Sequence, residues 1–245
     1  MPTKTIWIYH EWLTGVILFK VHQYAGMAGL QILRYSTGLI VIWLVYRCAT
    51  ERGSNYITSF LVLLLAGSII KTGFAPVRAQ IFTYLFYVLS IYILEKSGKD
   101  EKFIRLWWLI PIQLIWCNMH GGFVAGLCIT GLYLLGRIIS GRDAWPLAKI
   151  MVFSALVTFI NPYGIKYWEY IINAVFMYRP FVTEWFSVFA ALKYKMFIGE
   201  IIVFMILVFT SLIVILWYPK KDVTAIIILA TTSFLGFIHI RHIRK

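Results

Sequence analysis

Long uninterrupted apolar runs constrain the fold of this chain more than any other feature. FIGEIIVFMILVFTSLIVILWY at 197–218 contains one charged residue, and ITSFLVLLLAGSII at 57–70 contains none. About 20 apolar residues in a helix cross a bilayer core, and a spanning backbone must satisfy its own hydrogen bonds. With 61% of its residues hydrophobic and 13% charged, the chain exceeds the apolar content of soluble domains. These features predict an all-α fold, a polytopic transmembrane helical bundle.

Polar turns divide the chain into about eight predicted spans. They cover 27–46, 56–75, 79–95, 103–118, 121–140, 145–160, 197–218 and 223–240. Residues 6–23 contain too many polar groups to span and are predicted to form an interfacial N-terminal helix. The mixed stretch 161–196 is predicted to be a non-cytoplasmic surface region. Because no repeat or linker separates these segments, we expect a single transmembrane domain over 1–245.

The turns between predicted spans alternate between two sides of the membrane. Side one collects the 6–23 helix, KTGFAPVRAQ, CNMHGGF, 161–196 and RHIRK. Side two collects RCATERGSN, EKSGKDEKFIR, GRIISGRDAW and YPKKD. Lysine and arginine are balanced between the sides, so their count does not fix the orientation. The bases of side two lie in plain loops, which favours side two as cytoplasmic.

The net charge of +13 comes largely from basic residues in short loops. Contact with anionic membrane lipids explains that distribution, and nucleic acid is not expected as a partner. Ten tryptophans are typical of interfacial belts. The three scattered cysteines predict neither a disulfide framework nor a metal site, and we expect all three to be buried.

Two groupings on side one combine polar residues in unusual ways. In PVRAQ, Arg78 and Gln80 open a predicted span, and a guanidinium there can either snorkel to the interface or clamp a phosphate. In WCNMHGGF, Asn118 and His120 precede paired glycines that permit a tight reversal and close approach to a ligand. The alternative for His120 is an ordinary interfacial histidine.

Two further groupings of side one follow in 161–196. NPYG at 161–164 has the chemistry of a turn, and a helix stop at the membrane surface explains it without a functional role. TEW at 183–185 repeats the acid–tryptophan pair of HEW, and Glu184 is either a site residue or a solvated acid on a loop. Side one contains four glutamates and no aspartate: Glu11, Glu169, Glu184 and Glu200. Acid–base or metal chemistry on this side must therefore use glutamate or histidine, or a group that this chain does not contain.

Taken in order, five groupings resemble a family of bacterial, polytopic, glycosyltransferase-like proteins of the GT-C type. The family pattern runs W..HEWL, RPQ.F, N.HGGF..G, NPYG...W and EW, and Ala79 stands here in place of its proline. The matching residues are Trp7, His10, Glu11, Trp12 and Leu13; Arg78, Gln80 and Phe82; Asn118, His120, Gly121, Gly122, Phe123 and Gly126; Asn161, Pro162, Tyr163, Gly164 and Trp168; Glu184 and Trp185. The family's first helix, its Asp-containing loop and its C-terminal helices are expected to lie outside this sequence.

The resemblance implies sugar transfer from a polyprenyl-phosphate carrier at the non-cytoplasmic face of a bacterial inner membrane. It makes Glu11 the catalytic base or the ligand of a divalent metal ion, with His10 assisting. The implied substrate-binding residues are Arg78, Gln80, Asn118, His120 and Glu184. Structural roles fall to Gly121, Gly122, Asn161, Pro162, Tyr163 and Gly164.

Two alternatives to an enzyme remain open at this point. One is a transporter or flippase of lipid-linked sugars, for which Lys71 and Glu200 are the relevant charges within predicted spans. The other is a truncated, non-catalytic member of the same family, favoured by the expected lack of the N-terminal acidic loop.

Overall fold

A computed structural model describes most of the chain. The described residues are 8–74, 76–177, 182–217, 219, 221–240 and 243, and the side chains of 69–73 and 184 lie outside the description. Trp7 and most of RHIRK therefore fall outside it, and so does the side chain of Lys71.

The described residues form helices and no strands, which confirms the all-α fold. The α-helices are α1 Trp12–Glu51, α2 Tyr56–Phe74, α3 Gln80–Asp100, α4 Leu109–Met119, α5 Phe123–Ile139, α6 Trp145–Val157, α7 Ile165–Phe176, α8 Val188–Lys193, α9 Ile198–Trp217 and α10 Val223–Ile238. Short 3₁₀ helices cover Phe103–Trp108 and Thr183–Trp185. Each of the eight segments predicted to span contains a helix, with boundaries that differ by a few residues.

Helix α3 extends further than its predicted span, which ended at 95. It continues to Asp100 and stops at Glu101, whose φ of 51° and ψ of 22° are left-handed. A left-handed residue just after a helix is a common terminator, because it turns the chain out of the helical path. The polar residues at the end of α3 are therefore helical rather than part of a loop.

Helix α1 contains one non-helical residue, Gly26, with φ 57° and ψ −153°. That conformation is essentially restricted to glycine, because a Cβ would clash with the backbone. The break lies between the predicted segments 6–23 and 27–46. One sequence position thus separates the two parts of α1.

Among the described residues, two helices are long and apolar enough to cross a membrane, Trp12–Glu51 and Ile198–Trp217. In α9, Ile201 is the single buried residue of 20, so this helix is not the core of a soluble domain. The other apolar helices have fewer than 18 described residues in their apolar stretch. The number of spans stays a prediction.

The chain folds into two compact units. Unit 1 comprises the described residues of Met1–Leu44, Val77–Cys128 and Pro146–Met177, and unit 2 comprises those of Val45–Pro76, Ile129–Trp145 and Tyr178–Lys245. The core of unit 1 contains Ile8, Trp116, Cys117, Phe123, Leu127, Tyr167 and Ile171. The core of unit 2 contains Val188, Ala191, Ile201, Ile240 and Ile243. The prediction of a single transmembrane domain concerns how these units are arranged in a bilayer. It stays a prediction.

The three cysteines are free thiols with different environments. Cys117 is buried, Cys48 is partly buried and Cys128 is exposed. The expectation of burial is therefore wrong for Cys128.

Candidate functional site

The HEWL segment is fixed in unit 1 by hydrogen bonds from the first turn of α1 to the end of α4. Trp12 Nε1 donates to Asn118 Oδ1 at 3.0 Å, and Thr14 Oγ1 donates to the Met119 carbonyl at 2.7 Å. Thr14 is buried, so its bond is shielded from water. These contacts join residues more than 100 positions apart and bring HEWL beside the HGG turn.

Glu11 directly precedes α1, and its carbonyl accepts the Gly15 N–H at 2.9 Å. A carboxylate at this end of a helix is favoured by the unpaired N–H groups there. Its Oε1 lies 3.6 Å from His10 Nε2 and 3.4 Å from His120 Nε2. Glu11 and His10 are about one-third exposed, at 35% and 31%, and His120 is 16% exposed. The carboxylate thus lies between two imidazoles and remains accessible.

The orientation of His120 is set by donors around its Nδ1 atom. The Gly122 N–H donates to Nδ1 at 2.9 Å, and the Thr83 hydroxyl lies 2.8 Å from the same atom. Thr83 accepts the indole N–H of Trp116 at 3.1 Å, which leaves its own O–H to donate. Since an amide N–H can only donate, Nδ1 is an acceptor and the ring hydrogen of the neutral imidazole lies on Nε2. That hydrogen faces Glu11.

Three tyrosines hold the segment around His10. Tyr163 Oη accepts the Tyr9 N–H at 3.2 Å, Tyr167 Oη donates to the His10 carbonyl at 3.5 Å, and Tyr170 Oη lies 3.2 Å from His10 Nδ1. Spacings of four and three residues place such side chains on one helical face. Tyr167, Tyr170 and Thr83 are not among the residues predicted from the sequence, although the tyrosine spacing after NPYG is a usable signal.

Tyr167 is a permanent hydrogen-bond donor in this site. Burial raises the pKa of its phenol well above the ordinary range, and Cys117, Tyr170 and Glu11 raise it further. The hydroxyl therefore stays protonated at neutral pH and continues to donate to the His10 backbone.

The paired glycines differ in what surrounds them. A Cβ built on Gly122 would lie 2.5 Å from Thr83 Oγ1 and 2.8 Å from His120 Nδ1. A Cβ on Gly121 would meet Ile171 Cδ1 at 3.2 Å and His10 Cδ2 at 3.5 Å. Close approach of Thr83 to His120 thus requires glycine at 122, whereas 121 has more room.

Asn118 cross-links three elements of unit 1. Its Oδ1 accepts from Trp12, and its Nδ2 donates to the Leu114 and Ile160 carbonyls, each at 2.9 Å. These bonds use both amide hydrogens, so the structure gives Asn118 a positioning role. The predicted role of Asn118 in orienting a sugar stays a prediction.

NPYG forms the turn between α6 and α7. Asn161 Oδ1 accepts the Tyr163 N–H at 2.8 Å, and its Nδ2 donates to the Thr158 carbonyl at 2.8 Å. This side-chain loop is the Asx turn that favours Asn at such positions. Gly164 follows with φ 53°, a left-handed conformation that favours glycine. The turn directs the tyrosines toward His10.

An open groove of about 450 Å³ borders the HEWL segment. Its lining is mainly apolar, with two asparagine amides: Trp12, Leu13, Leu114, Ile115, Asn118, Ile160, Asn161 and Pro162. Trp12 and Leu13 directly follow Glu11 in sequence. The unit therefore combines a polar cluster with an apolar groove starting one residue away.

In the described part of the chain, the structure shows no contact between the other predicted site residues and the cluster of His10, Glu11 and His120. Arg78 is exposed just before α3, and Gln80 is the partly buried first residue of that helix. Glu184 belongs to unit 2, and its side chain lies outside the described part of the chain. Their predicted roles in substrate binding stay predictions.

The described residues do not supply a metal site around Glu11. No group of three or more His, Cys, Asp or Glu side chains among them has the arrangement to hold a metal ion. Because Nδ1 of His120 accepts hydrogen bonds, its Nε2 carries the ring hydrogen and cannot also ligate a metal. The divalent metal ion expected at Glu11 stays a prediction.

Comparison with protein-family models, curated proteins and solved structures finds no match to this chain. The function of the protein must therefore be inferred from its sequence motifs and from the geometry around Glu11. The central observation is that the adjacent His10 and Glu11 meet His120, which lies more than 100 residues further along the chain.

Proposed function

We propose that this protein is a membrane glycosyltransferase of the GT-C type. It would transfer a sugar from a polyprenyl-phosphate carrier to an acceptor at the non-cytoplasmic face of a bacterial inner membrane. The observation that carries the proposal is the accessible Glu11 carboxylate, which lies within 3.6 Å of the imidazoles of His10 and His120. The motif order that resembles the family supports the same assignment.

In the proposed reaction Glu11 acts as the general base. Its free carboxylate oxygen takes the proton of an acceptor hydroxyl while that oxygen forms a bond to the anomeric carbon of the sugar. The bond from that carbon to the phosphate oxygen breaks, and its electron pair leaves with the polyprenyl phosphate. The Nε2–H of His120 steadies one carboxylate oxygen, which orients the other toward the acceptor.

The surroundings of Glu11 are suited to an amphipathic donor. The apolar groove that begins at Trp12 and Leu13 can take the first isoprene units, while the sugar lies at the polar cluster. Arg78 is the proposed phosphate ligand, because a guanidinium binds phosphate through two parallel hydrogen bonds. Its exposed position at the start of α3 leaves it accessible to a ligand.

A polytopic arrangement of about eight spans is part of this proposal. It is supported by contacts in unit 1 between turns assigned to side one: Glu11 of HEWL pairs with His120 of HGG, and Tyr163 of NPYG accepts the N–H of Tyr9 beside HEWL. Turns assigned to side two also meet, since Arg52 pairs with Asp222 at 3.3 Å in unit 2. In α9, 12 of 20 residues are exposed and Ile201 alone is buried, which supports a lipid environment for that helix.

The test uses the full chain in liposomes that contain a radiolabelled polyprenyl-phosphate sugar and a mixture of acceptor glycans. We expect release of polyprenyl phosphate, and we expect Glu11→Gln to lower its rate by roughly 10²–10⁴-fold, the usual contribution of a general base. Glu169→Gln is the matched control, because Glu169 is an exposed acid of unit 1 outside the cluster.

Binding of the labelled donor gives a second measurement. Arg78→Ala and His120→Ala should weaken donor binding, while Glu11→Gln should leave it largely intact. Absence of binding, or binding indifferent to Arg78→Ala and His120→Ala, would overturn the proposal. Movement of the label across the bilayer without transfer would support the transporter alternative, and binding without either event would support a non-catalytic family member.

A further inference from the structure

Unit 2 contains a polar cavity, and none of the residues that line it lines the apolar groove of unit 1. Its volume is about 270 Å³. It is formed by the end of α5, the following turn and the start of α10, with the lining residues Gly136, Arg137, Ser140, Arg142, Lys221, Asp222, Val223 and Thr224. Three of these are basic and one is acidic, so the cavity is electropositive.

Close contact between two helices creates this cavity. A Cβ built on Gly136 would lie 2.2 Å from Thr224 Oγ1 and 2.9 Å from Thr224 Cα. The backbone of α10 can therefore approach α5 only because position 136 is glycine. The close contact between α5 and α10 places the hydroxyl of Thr224 and the basic turn after α5 beside the same cavity.

The basic side chains are held at the cavity by backbone contacts. Arg137 Nε donates to the Asp143 carbonyl at 2.7 Å. Lys221 Nζ donates to the carbonyls of Ile215 and Leu216 at 2.8 and 2.7 Å, which places its charge at the end of α9. Their positions are thus fixed before any ligand binds, which lowers the entropic cost of binding.

The acid of the cavity is already neutralised by other partners. Asp222 Oδ1 caps α10 by accepting the Ala225 N–H at 3.1 Å, and its Oδ2 pairs with Arg52 at 3.3 Å. The basic charge of Arg137, Arg142 and Lys221 is therefore not cancelled by Asp222. The first N–H groups of α10, at Val223 and Thr224, lack intrahelical acceptors and also favour an anion.

We propose that this cavity binds a phosphate group, either of a soluble phosphate or of an anionic lipid headgroup. Arg137 and Arg142 provide planar donors suited to phosphate oxygens, Lys221 provides a point charge, and Ser140 and Thr224 provide hydroxyl donors. The two turns that form it both belong to side two of the predicted topology. The site does not depend on the proposed transferase activity, because all its residues lie in unit 2.

The experiment measures thermal unfolding of the purified full chain in neutral-detergent micelles. One arm titrates inorganic phosphate, a second adds phosphatidic acid to the micelles, and a third adds phosphatidylcholine alone. We expect stabilisation in the first or second arm and none in the third. Stabilisation by inorganic phosphate identifies a soluble ligand, and stabilisation by phosphatidic acid alone identifies a headgroup.

Charge removal tests the location of the site. Arg142→Gln should weaken the apparent affinity roughly fivefold, with a larger loss when Lys221→Gln is added, because each base near an anionic lipid contributes comparably. Lys193→Gln is the matched control, an exposed base of unit 2 outside the cavity. Arg142 is exposed and holds no helix end, so its variant should fold even where Lys221→Gln does not. No stabilisation by either anion, or equal losses in Arg142→Gln and Lys193→Gln, would overturn the proposal.

Discussion

Replacing Gly122 by alanine tests the interpretation of the HGG turn most directly. Neither Gly121 nor Gly122 has a left-handed φ, so alanine is compatible with both backbone conformations. Any difference between the two alanine variants must therefore come from the space around the added methyl group. Gly121→Ala is the internal control for the general effect of glycine replacement.

The magnitude follows from the contacts of the added carbon. At 122 it would lie 2.5 Å from Thr83 Oγ1, about 0.9 Å short of the 3.4 Å at which ordinary contact begins. Nδ1 of His120 would lie 2.8 Å from the added carbon and must also give way. Moving both atoms out to 3.4 Å from that carbon lengthens their 2.8 Å contact to about 3.6 Å, beyond hydrogen-bond range. Loss of the bond and overpacking together cost about 2–4 kcal/mol.

Thermal unfolding of the full chain in detergent provides the first assay. A cost of this size should lower Tm by roughly 4–16 °C for Gly122→Ala, using the scaling for chains of this length. At 121 the nearest atom is the flexible end of Ile171 at 3.2 Å, so Gly121→Ala should remain close to the parent protein.

Nitrogen-15 NMR of the histidine rings provides the second assay. The Nδ1 signal of His120 should change in Gly122→Ala, because that atom loses its hydroxyl donor, and should be preserved in Gly121→Ala. Equal Tm values for the two variants, together with an unchanged His120 signal, would refute the reasoning.

Three further predictions concern other contacts. Thr83→Val should destabilise the protein by about 1–3 kcal/mol in thermal unfolding, because it leaves the indole N–H of fully buried Trp116 without its acceptor, whereas Thr83→Ser should preserve stability. Gly26→Ala should lower the free energy of unfolding by about 1–3 kcal/mol through backbone strain alone, since nothing lies within 4 Å of the added carbon; an unchanged stability would show that α1 does not need this break. The hydrogen bond and charge of Arg105 hold the pKa of Asp100 below its ordinary value, so their contribution to stability is present above pH ~4 and lost as pH falls further. Acid-unfolding curves should accordingly be flatter for Arg105→Gln than for the parent chain.

Prediction of helices from the sequence is correct where the pattern of neighbouring residues decides the structure. The apolar runs predicted a helix in each of eight segments, and each contains one, because hydropathy and helical hydrogen bonding act over short stretches. The predicted span ends at 95 because Lys96, Lys99 and Asp100 are typical of a loop, and this prediction is wrong. Polar residues continue a helix readily when no breaker intervenes, and the left-handed Glu101 that ends it carries no clear sequence signal.

The candidate site was predicted only in part. HEWL and HGG were singled out as separate groupings, and the structure joins them through Glu11 and His120. Thr83 was overlooked because a threonine inside an apolar helix has no distinguishing pattern of its own. Its role appears only when α3 places it between Trp116 and Nδ1 of His120.

By itself, the sequence determined the all-helical class, the presence of a helix in each of eight apolar segments, and the turn at NPYG. These depend on interactions within a few positions along the chain. The tertiary structure alone decided which imidazole nitrogen faces Glu11, which tyrosines hold His10, and that Gly136 allows a basic cavity to form beside Thr224. Such contacts join residues tens to more than 100 positions apart, and their distances follow from side-chain packing, which no local pattern of residues specifies.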